Sequence, residues 1–273
     1  MQVSQINIYP IKSTRGISLE QVQVTRRGFS GDRRWMLIDT SNRFITAREF
    51  PRLTLVRSAF ENDLLRLRAP EHPERTNPGE LKLSLVASGS VSRQVEIWGQ
   101  QVHLSDAGDA AAEWFSCYLE IPCRVVHLAD DQHRPVDPNY ARAGDEVSLA
   151  DGFPVLLISE ASLTDLNARL EQPVTMQRFR PNLVISAEEA FIEDCWKQLR
   201  IGEVEFESAK ACPRCIFTTI DPDTAELHSH QEPLRTLGSY RRDSKGGVNF
   251  GQNLIPRSLG TIHLGDSVQV LQS

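Results

Sequence analysis

The stretch Ala-Cys-Pro-Arg-Cys-Ile-Phe-Thr-Thr, residues 211–219, places two thiols three positions apart and then continues into β-branched and aromatic residues. Such side chains are typical of strands. The run ends at Asp221-Pro222-Asp223, a turn signal, since proline fixes φ and aspartate bonds to its own backbone. The stretch therefore predicts a short strand with Cys215 at its mouth, beside Arg214. A cation in that place favours the thiolate, the form of cysteine that binds metals and attacks electrophiles.

Three functional interpretations of the cysteine pair compete. A zinc site with His228 and His230 is disfavoured, because a single residue separates these histidines where zinc sites have three to five. A thioredoxin-like pair needs its reactive cysteine at a helix N-terminus, whereas the residues after Cys215 are strand formers. In the third, one cysteine binds a soft metal or accepts a covalent group. The spacing alone favours two cysteines that only pack as small hydrophobes.

Composition narrows the class of protein. The chain has 273 residues, of which 40% are hydrophobic and 24% charged, as in ordinary globular proteins. A formal net charge of −6 argues against a nucleic-acid binder, and five irregularly spaced cysteines indicate a reducing compartment. The sequence shows neither a secretory signal nor an apolar run near the ~20 residues of a membrane span. We therefore predict a cytoplasmic protein with no nucleic-acid partner and no membrane partner.

Alternating apolar residues predict mostly strands, which indicates a mainly β (α+β) fold with a β-barrel and few short helices. Two hairpins are predicted, one over residues 33–48 and a closing one of 261–264 with 268–271. Helices are expected over Asp109–Leu119, after Ser159, and over 233–241. The large side chains of Trp98 and Trp114 are predicted to be core residues. A polar, proline-containing stretch at 127–140 places a domain boundary near residue 120.

Cations, hydroxyls and an amide recur in the predicted loops and strand ends. Together they suit a phosphate-bearing, metal-containing ligand held by a thiolate, because arginine forks bind phosphate and thiolates bind soft metals. The candidates for one such anion site are Lys12, Ser13, Arg15, Arg33, Arg34, Arg48, Arg180, Asn182, Arg214 and Cys215. Separate surface charges are the alternative, since most single arginines are solvated.

Six ordered motifs carry a family resemblance. They are Tyr-Pro-Ile-Lys-Ser-x-Arg-Gly at 9–16, Gly-Asp-Arg-Arg-Trp at 31–35, Phe-Ile-Thr-Ala-Arg at 44–48, Phe-Arg-Pro-Asn at 179–182, Cys-Pro-Arg-Cys-Ile-Phe-Thr-Thr at 212–219 and Phe-Gly-Gln-Asn at 250–253. In this order they resemble MOSC-domain proteins of the YcbX type, akin to the mitochondrial amidoxime-reducing component. The resemblance covers essentially the whole chain. It implies an N-terminal MOSC-associated β-rich domain over 1–120 and a MOSC β-barrel domain over 121–273.

The resemblance also implies a cofactor and a set of site residues. The cofactor is the molybdenum cofactor (Mo-molybdopterin), and the family's protein ligand to the metal is the second cysteine of its motif, which is Cys215 in this sequence. The residues that match cofactor contacts are Lys12, Ser13, Arg33, Arg180, Asn182 and Arg214. The same resemblance makes Cys212 the cysteine that does not bind the metal.

The implied activity is the reduction of N-hydroxylated compounds, including hydroxylamines, N-hydroxylated bases and amidoximes, a detoxification chemistry. Longer chains of this type continue into a plant-type ferredoxin domain, whose cysteine run does not occur before Ser273. Either the sequence is cut short before such a domain or the electrons come in trans from a separate ferredoxin-type or flavin-type reductase, and we expect the second. Two alternatives stay open, a sulfur carrier for cofactor maturation with a persulfide on Cys215, and a protein that stores the cofactor without catalysis.

Overall fold

The structure, a computed structural model, describes residues 1–71, 74, 76–85 and 91–273. Strands dominate this part of the chain, and its three α-helices are short. The mainly β fold class predicted from the sequence is confirmed. None of these helices is both long and apolar enough to cross a bilayer.

The elements of the described residues comprise nineteen strands, three α-helices and four 3₁₀-helices. The strands are β1 (Gln2–Ile8), β2 (Ile17–Leu19), β3 (Gln21–Thr25), β4 (Gly28–Phe29), β5 (Trp35–Ile38), β6 (Phe44–Ile45), β7 (Arg57–Glu61), β8 (Leu64–Arg68), β9 (Glu80–Ser84), β10 (Ser92–Ile97), β11 (Gln100–Asp106), β12 (Arg124–His127), β13 (Val155–Ser159), β14 (Leu183–Ser186), β15 (Gln198–Ile201), β16 (Val204–Pro213), β17 (Asn249–Pro256), β18 (Gly260–His263) and β19 (Val268–Gln272). The helices are α1 (Asp109–Leu119), α2 (Glu160–Asn167) and α3 (Leu234–Tyr240), and the 3₁₀-helices are Pro51–Leu55, Met176–Arg178, Ile192–Cys195 and Ile216–Thr219.

The largest sheet runs in the order β19-β15-β16-β17-β13-β14-β1-β2. Its first strand in this order, β19, meets the seventh, β1, because Val3 N donates to Asp266 O at 2.9 Å and Val268 N donates to Met1 O at 3.1 Å. Seven of its strands thus close into a barrel. Apolar side chains fill the interior, among them Ile6, Leu157 and Phe206. Burial of apolar surface in this core is the main stabilising contribution to the barrel.

The remaining strands form a five-stranded sheet, β10-β11-β12-β5-β6, and two three-stranded sheets, β18-β3-β4 and β7-β8-β9. The helix α1 packs with the residues of β5, β8 and β9 into a second core around Trp35 and Phe115. The domain boundary near residue 120 stays a prediction. The topology adds that β1, at the start of the chain, is a strand of the barrel sheet, where it pairs with β14.

All three helix predictions are confirmed, and α1 has the predicted bounds. Ser159 caps α2, since its side chain accepts a hydrogen bond from Ser162 N at 3.1 Å. The hairpin of β5 and β6 is also confirmed. The predicted closing hairpin is wrong, because β18 pairs with β3 and β19 pairs with β15. Alternation of apolar residues predicted both strands correctly. It shows which face of a strand is buried, but not which other strand it pairs with.

The buried carboxylate of Asp106 links three strands of the five-stranded sheet. It accepts hydrogen bonds from Arg93 on β10 and, at 3.0 Å, from Arg124 Nη2 on β12, and it also accepts one from Gly108 N. Burial works to raise the pKa of Asp106, but the two arginines outweigh it and lower the pKa to about 2.

Because the folded-state pKa of Asp106 lies below the unfolded one, its contribution is present above about pH 4 and is lost as the pH falls towards 2. We expect Asp106→Asn to lower the free energy of unfolding at pH 7 by about 1–2 kcal/mol after allowing for solvent screening. Denaturant unfolding from pH 7 to 2.5 should show a shallower acid loss in this variant. Asp109→Asn is the matched control, because the exposed Asp109 pairs with the same Arg124 at 2.8 Å. An equal change in both variants would contradict the assignment.

Candidate functional site

A cavity of about 560 Å³ opens where seven connecting segments meet, those after β1, before β5, after β6, between β10 and β11, before β13, before β14 and after β16. Loops carry binding residues in many proteins, because a rigid scaffold of strands positions them. The cavity is lined by Lys12, Ser13, Arg33, Arg48, Trp98, Ala150, Asp151, Gly152, Phe153, Leu156, Phe179, Arg180, Asn182, Lys210, Cys212, Pro213, Arg214, Cys215, Phe217, Thr218 and Asn253.

The structure brings all seven predicted site residues to this cavity, and Arg48 as well. The seven are Lys12, Ser13, Arg33, Arg180, Asn182, Arg214 and Cys215. Two members of the wider set of candidates lie elsewhere. Arg15 pairs with Asp223 at 2.8 Å, and Arg34 pairs with Asp130 at 2.8 Å. The roles of the seven as cofactor contacts stay a prediction, whereas their convergence is a structural fact.

Cys215 directly follows the longest strand. The strand β16 ends at Pro213, Arg214 N donates to Val248 O at 2.7 Å, and Cys215 then precedes the 3₁₀-helix Ile216–Thr219. The predicted strand after Cys215 is therefore wrong. The hydroxyls of Thr218 and Thr219 donate to carbonyls three residues back, at 3.0 and 2.8 Å, and so favour the helical turn over the extended form.

A chain of polar contacts links the sulfur of Cys215 through Arg48 and Asp151 to Lys12. Arg48 Nε donates to Cys215 Sγ at 3.3 Å, and Arg48 Nη2 donates to Asp151 Oδ2 at 2.8 Å. The other oxygen of Asp151 accepts from Lys12 Nζ, which also donates to Leu149 O at 2.9 Å. A hydrogen bond from a cation to sulfur stabilises negative charge there. The sequence had given Arg48 as a candidate, but it had given no reason to select Asp151.

The pKa shifts of this chain of contacts follow from burial and from charge. Burial lowers the pKa of Lys12, and Asp151 opposes that change. Burial also works to lower the pKa of Arg48, but Asp151 and Cys215 outweigh it and raise that pKa. For Asp151, desolvation works to raise the pKa, while Lys12 and Arg48 together hold it well below the usual range. Asp151 thus stays ionised between its two cations.

A second polar cluster lies beneath the cavity and fixes Arg33. The carboxylate of Asp32 accepts from Arg33 Nη1 at 2.6 Å and from Tyr9 N at 2.8 Å. Asn182 Oδ1 accepts from Arg33 Nη1 at 2.9 Å, and Asn182 Nδ2 donates to Asn7 O at 3.1 Å. Burial raises the pKa of Asp32 more than Arg33 lowers it. These side chains bind one another, so in this geometry they hold the wall of the cavity in place.

Two arginines of the cavity keep a buried donor without a partner in the part of the chain that the structure describes. Arg180 Nη1 donates to Thr14 O at 2.6 Å, and Arg214 donates to Phe179 O at 2.6 Å and to Cys212 Sγ at 2.9 Å. Among the described residues nothing accepts from Arg180 Nη2 or Arg214 Nε. Burial lowers the pKa of Arg180 to about 10. Buried donors without partners are rare in proteins and call for an acceptor.

Backbone strain is concentrated at the same place. Ser13, Arg33 and Arg180 have φ of 74°, 44° and 57°, in the left-handed region that residues with a side chain seldom adopt. Such strain costs about 1–3 kcal/mol per residue and persists only where the surroundings over-determine it. All three line the cavity, so the strained backbone that places their side chains there lowers the stability of the fold.

Several lining residues were not predicted as part of the site, among them Asp151, Lys210 and Trp98. Asp151 and Lys210 lie in stretches without a motif, and Lys210 Nζ stands 4.5 Å from the centre of the Tyr140 ring. The prediction of Trp98 as a core residue is wrong, because its side chain is 57% exposed at the rim of the cavity, whereas Trp114 is buried as predicted. Composition favours burial of any tryptophan, and no local sequence pattern distinguishes Trp98 from the others.

The charge of the cavity is opposite to that of the chain. Six cationic side chains line it against the single carboxylate of Asp151, although the chain carries a formal net charge of −6. A concave site of one sign attracts ligands of the other. Chemically, the arrangement can hold an anionic ligand against the guanidinium groups and can present the Cys215 sulfur to a soft metal.

Comparisons with known proteins identify the family of the chain. Residues 1–122 match the family described as MOSC N-terminal beta barrel domain, and residues 144–269 match the MOSC domain. Mitochondrial amidoxime-reducing component 1 of Homo sapiens is 37% identical over 285 residues, which cover 98% of this chain and 82% of that protein. The Mus musculus protein of the same name is 38% identical over 293 residues, with coverages of 98% and 82%. Mitochondrial amidoxime reducing component 2 of Bos taurus is 37% identical over 286 residues, with coverages of 97% and 82%.

Proposed function

Since the chain belongs to the MOSC-domain family of the mitochondrial amidoxime-reducing components, we propose that it is a molybdenum-cofactor-dependent oxidoreductase that reduces N-hydroxylated compounds. The observation that carries the proposal is the thiol of Cys215 at a cavity lined by six cations. Reduction of an N-hydroxyl group consumes two electrons and two protons and releases the amine or amidine and water. A separate ferredoxin-type or flavin-type reductase is proposed as the source of the electrons.

The residues present fit a pterin phosphate with a thiolate-bound metal. Arg180 and Arg214 each have a buried guanidinium nitrogen for which the described residues provide no acceptor, and phosphate oxygens are acceptors that suit such forks. Cys215 is the thiol that Arg48 contacts, and a thiolate suits a soft metal. When bound, the cofactor would supply the redox chemistry at the N–O bond.

The chain's own groups bind, orient and stabilise. Arg48 holds the sulfur of Cys215 through Nε and is itself held by Asp151, so the ligand has a fixed position. Arg33 and Asn182 brace the wall on which Arg180 stands, because Arg33 Nη2 donates to Arg180 O at 3.2 Å. We propose Lys12, Ser13, Arg33, Arg180, Asn182 and Arg214 as the cofactor-binding set, with Asn182 and Arg33 acting chiefly by positioning.

The test begins with the protein purified from a host that makes the cofactor. Molybdenum is measured by elemental analysis, and pterin is measured by its fluorescence after oxidative release. Near-equal amounts of both, together with reduction of an amidoxime by a chemical reductant, are the expected result. Absence of molybdenum and pterin, with sulfane sulfur trapped on Cys215, would favour the sulfur-carrier function. Cofactor present at full amount without turnover of any N-hydroxylated compound would favour storage.

Arg214→Lys tests the proposed phosphate contact. Lysine keeps the charge but lacks the planar fork, so a charge-assisted hydrogen bond to the phosphate is lost. Such a bond is worth about 1.5–3 kcal/mol, so we expect the pterin retained after dialysis to fall by at least about tenfold. Pterin fluorescence per protein is the measurement. Arg34→Lys is the matched control, because Arg34 pairs with Asp130 away from the cavity. Equal retention in the two variants would remove Arg214 from the cofactor-binding set.

We propose that the protein is located in the cytoplasm. Five cysteines at irregular spacings are typical of a protein that works with its thiols reduced. The expected partners are a small N-hydroxylated substrate and the electron-transfer protein. Fractionation of cells followed by immunodetection of the chain would test the compartment.

A further inference from the structure

Trp98 occupies a backbone conformation that suits its side chain poorly. It is the first of two residues that join β10 to β11, since Ile97 pairs with Gln100 across the turn. Trp98 and Gly99 have φ of 51° and 83°. Two-residue hairpins with positive φ at both positions strongly prefer Asn-Gly or Asp-Gly, because a bulky side chain is strained there.

The exposure of Trp98 adds a second cost. Its side chain is 57% exposed, so most of its large apolar surface stays in contact with solvent. Its neighbours are the ring of Phe44, at 5.3 Å between centroids, and the guanidinium of Arg48, at 5.6 Å from the ring centre. These two contacts among the described residues explain neither the strained backbone nor the exposure of the ring. An outlier of this kind supports a hypothesis of function.

The position of Trp98 indicates which function. Its ring lies at the mouth of the cavity that contains Cys215, and a single guanidinium, that of Arg48, contacts both the Trp98 ring and the Cys215 sulfur. A second aromatic residue, Phe153, lines the same cavity. A ligand in this cavity can therefore contact an exposed indole ring as well as the sulfur.

We propose that Trp98 is a specificity-determining residue that stacks on the flat ring of an aromatic or heteroaromatic N-hydroxylated substrate. The inference rests on the proposed function and narrows its substrate class. Stacked aromatic pairs are worth about 0.5–1.5 kcal/mol beyond the area that they bury. Stacking at the mouth holds the ring while the N-hydroxyl group points inward, so the contact acts on substrate affinity and not on the reaction step.

The decisive variant is Trp98→Asn, because asparagine suits the positive φ and removes the ring without straining the turn. Michaelis parameters are measured with benzamidoxime and with acetamidoxime, which differ in a phenyl against a methyl group. We expect KM for benzamidoxime to rise by about three- to tenfold, with kcat for both and KM for acetamidoxime within about twofold of the parent protein. Trp98→Phe keeps a ring and should retain most of the preference.

Binding is measured separately from turnover. Titration calorimetry of benzamidoxime into the holoprotein without a reductant should show the same three- to tenfold loss of affinity in Trp98→Asn, about the size of one aromatic contact. The matched control is Leu259→Ala, since Leu259 is 59% exposed but does not line the cavity. It should change neither KM nor affinity. Thermal unfolding checks that Trp98→Asn is at least as stable as the parent.

The outcomes separate this inference from the proposed function. Equal changes for the two amidoximes, or a fall in kcat alone, would assign Trp98 to holding Arg48 and overturn the stacking role. Unchanged KM and affinity would overturn it too, while turnover by the parent would leave the reductase standing. If the parent reduces neither amidoxime, the proposed function fails, and the calorimetric preference for the phenyl compound still decides whether Trp98 binds rings.

Discussion

Cys215→Ser is expected to reduce the molybdenum content and the N-reductive activity to background while the free energy of unfolding stays within about 1 kcal/mol of the parent. Serine has nearly the shape of cysteine, and Cys215 belongs to none of the hydrophobic cores, so the fold loses little. The soft ligand is lost, since a hydroxyl is a poor ligand where a thiolate suits the metal. Elemental analysis, turnover and denaturant unfolding of the same preparation are the three measurements.

Cys212→Ser is the matched control for this prediction. Cys212 lines the same cavity and accepts from Arg214 Nη1 at 2.9 Å, but it packs against the core around Phe179 and Phe250. We expect a milder result, with at least about half of the molybdenum and activity retained and stability lowered by about 1 kcal/mol. Equal loss of metal in both serine variants would undo the choice of ligand and return the two cysteines to a dithiol interpretation.

Asp32→Ala is expected to lower the free energy of unfolding by about 3 kcal/mol. The side chain of Asp32 is 0% exposed and bonds both Arg33 and the backbone of Tyr9. Its removal leaves a nearly buried guanidinium without a counter-ion and a buried N–H without an acceptor. Denaturant unfolding at neutral pH measures the loss, and the pterin content of the same variant should fall because Arg33 loses its fixed position.

Asp130→Ala is the matched control for Asp32→Ala. Asp130 pairs with Arg34, the neighbour of Arg33 in the chain, at 2.8 Å, but it is 95% exposed. Exposed ion pairs contribute under about 1 kcal/mol, so this variant should be close to the parent in stability and in pterin content. If both alanine variants lose the same stability, burial of the Asp32 pair is not the cause of the effect.

Much of the site could be predicted because its residues cluster in motifs next to strand ends. Lys12 and Ser13 follow β1, Arg180 precedes β14, and Cys215 follows β16, so each strand carries its residues to one place. The family resemblance supplied the selection among them. Strands and helices were predictable because alternation and helical spacing reflect which side chains are buried.

The remainder depends on tertiary geometry that local patterns do not contain. Arg33 and Arg34 are consecutive and chemically identical, but one enters the buried cluster with Asp32 and the other points to Leu128 and Asp130. The same holds for the predicted closing hairpin of 261–264 with 268–271, where two strands close in sequence pair with other strands instead. Asp151 shows a third case, since an aspartate before a glycine is an ordinary turn signal. Only the fold places it between Lys12 and Arg48.

The closure of the barrel by its first strand has a consequence for the order of events during synthesis. The ribosome delivers β1 first, but its partner β14 begins at residue 183, and Lys12 bonds Leu149, which is 137 positions later. Long-range pairings of this kind form late, because the entropy cost of closing a long loop comes before the contacts that offset it. Until then β1 can pair only with β2, and its other edge stays unpaired and prone to aggregation. The proposed cofactor site therefore cannot form on a partial chain, because its loops come together only after translation of nearly all of the sequence.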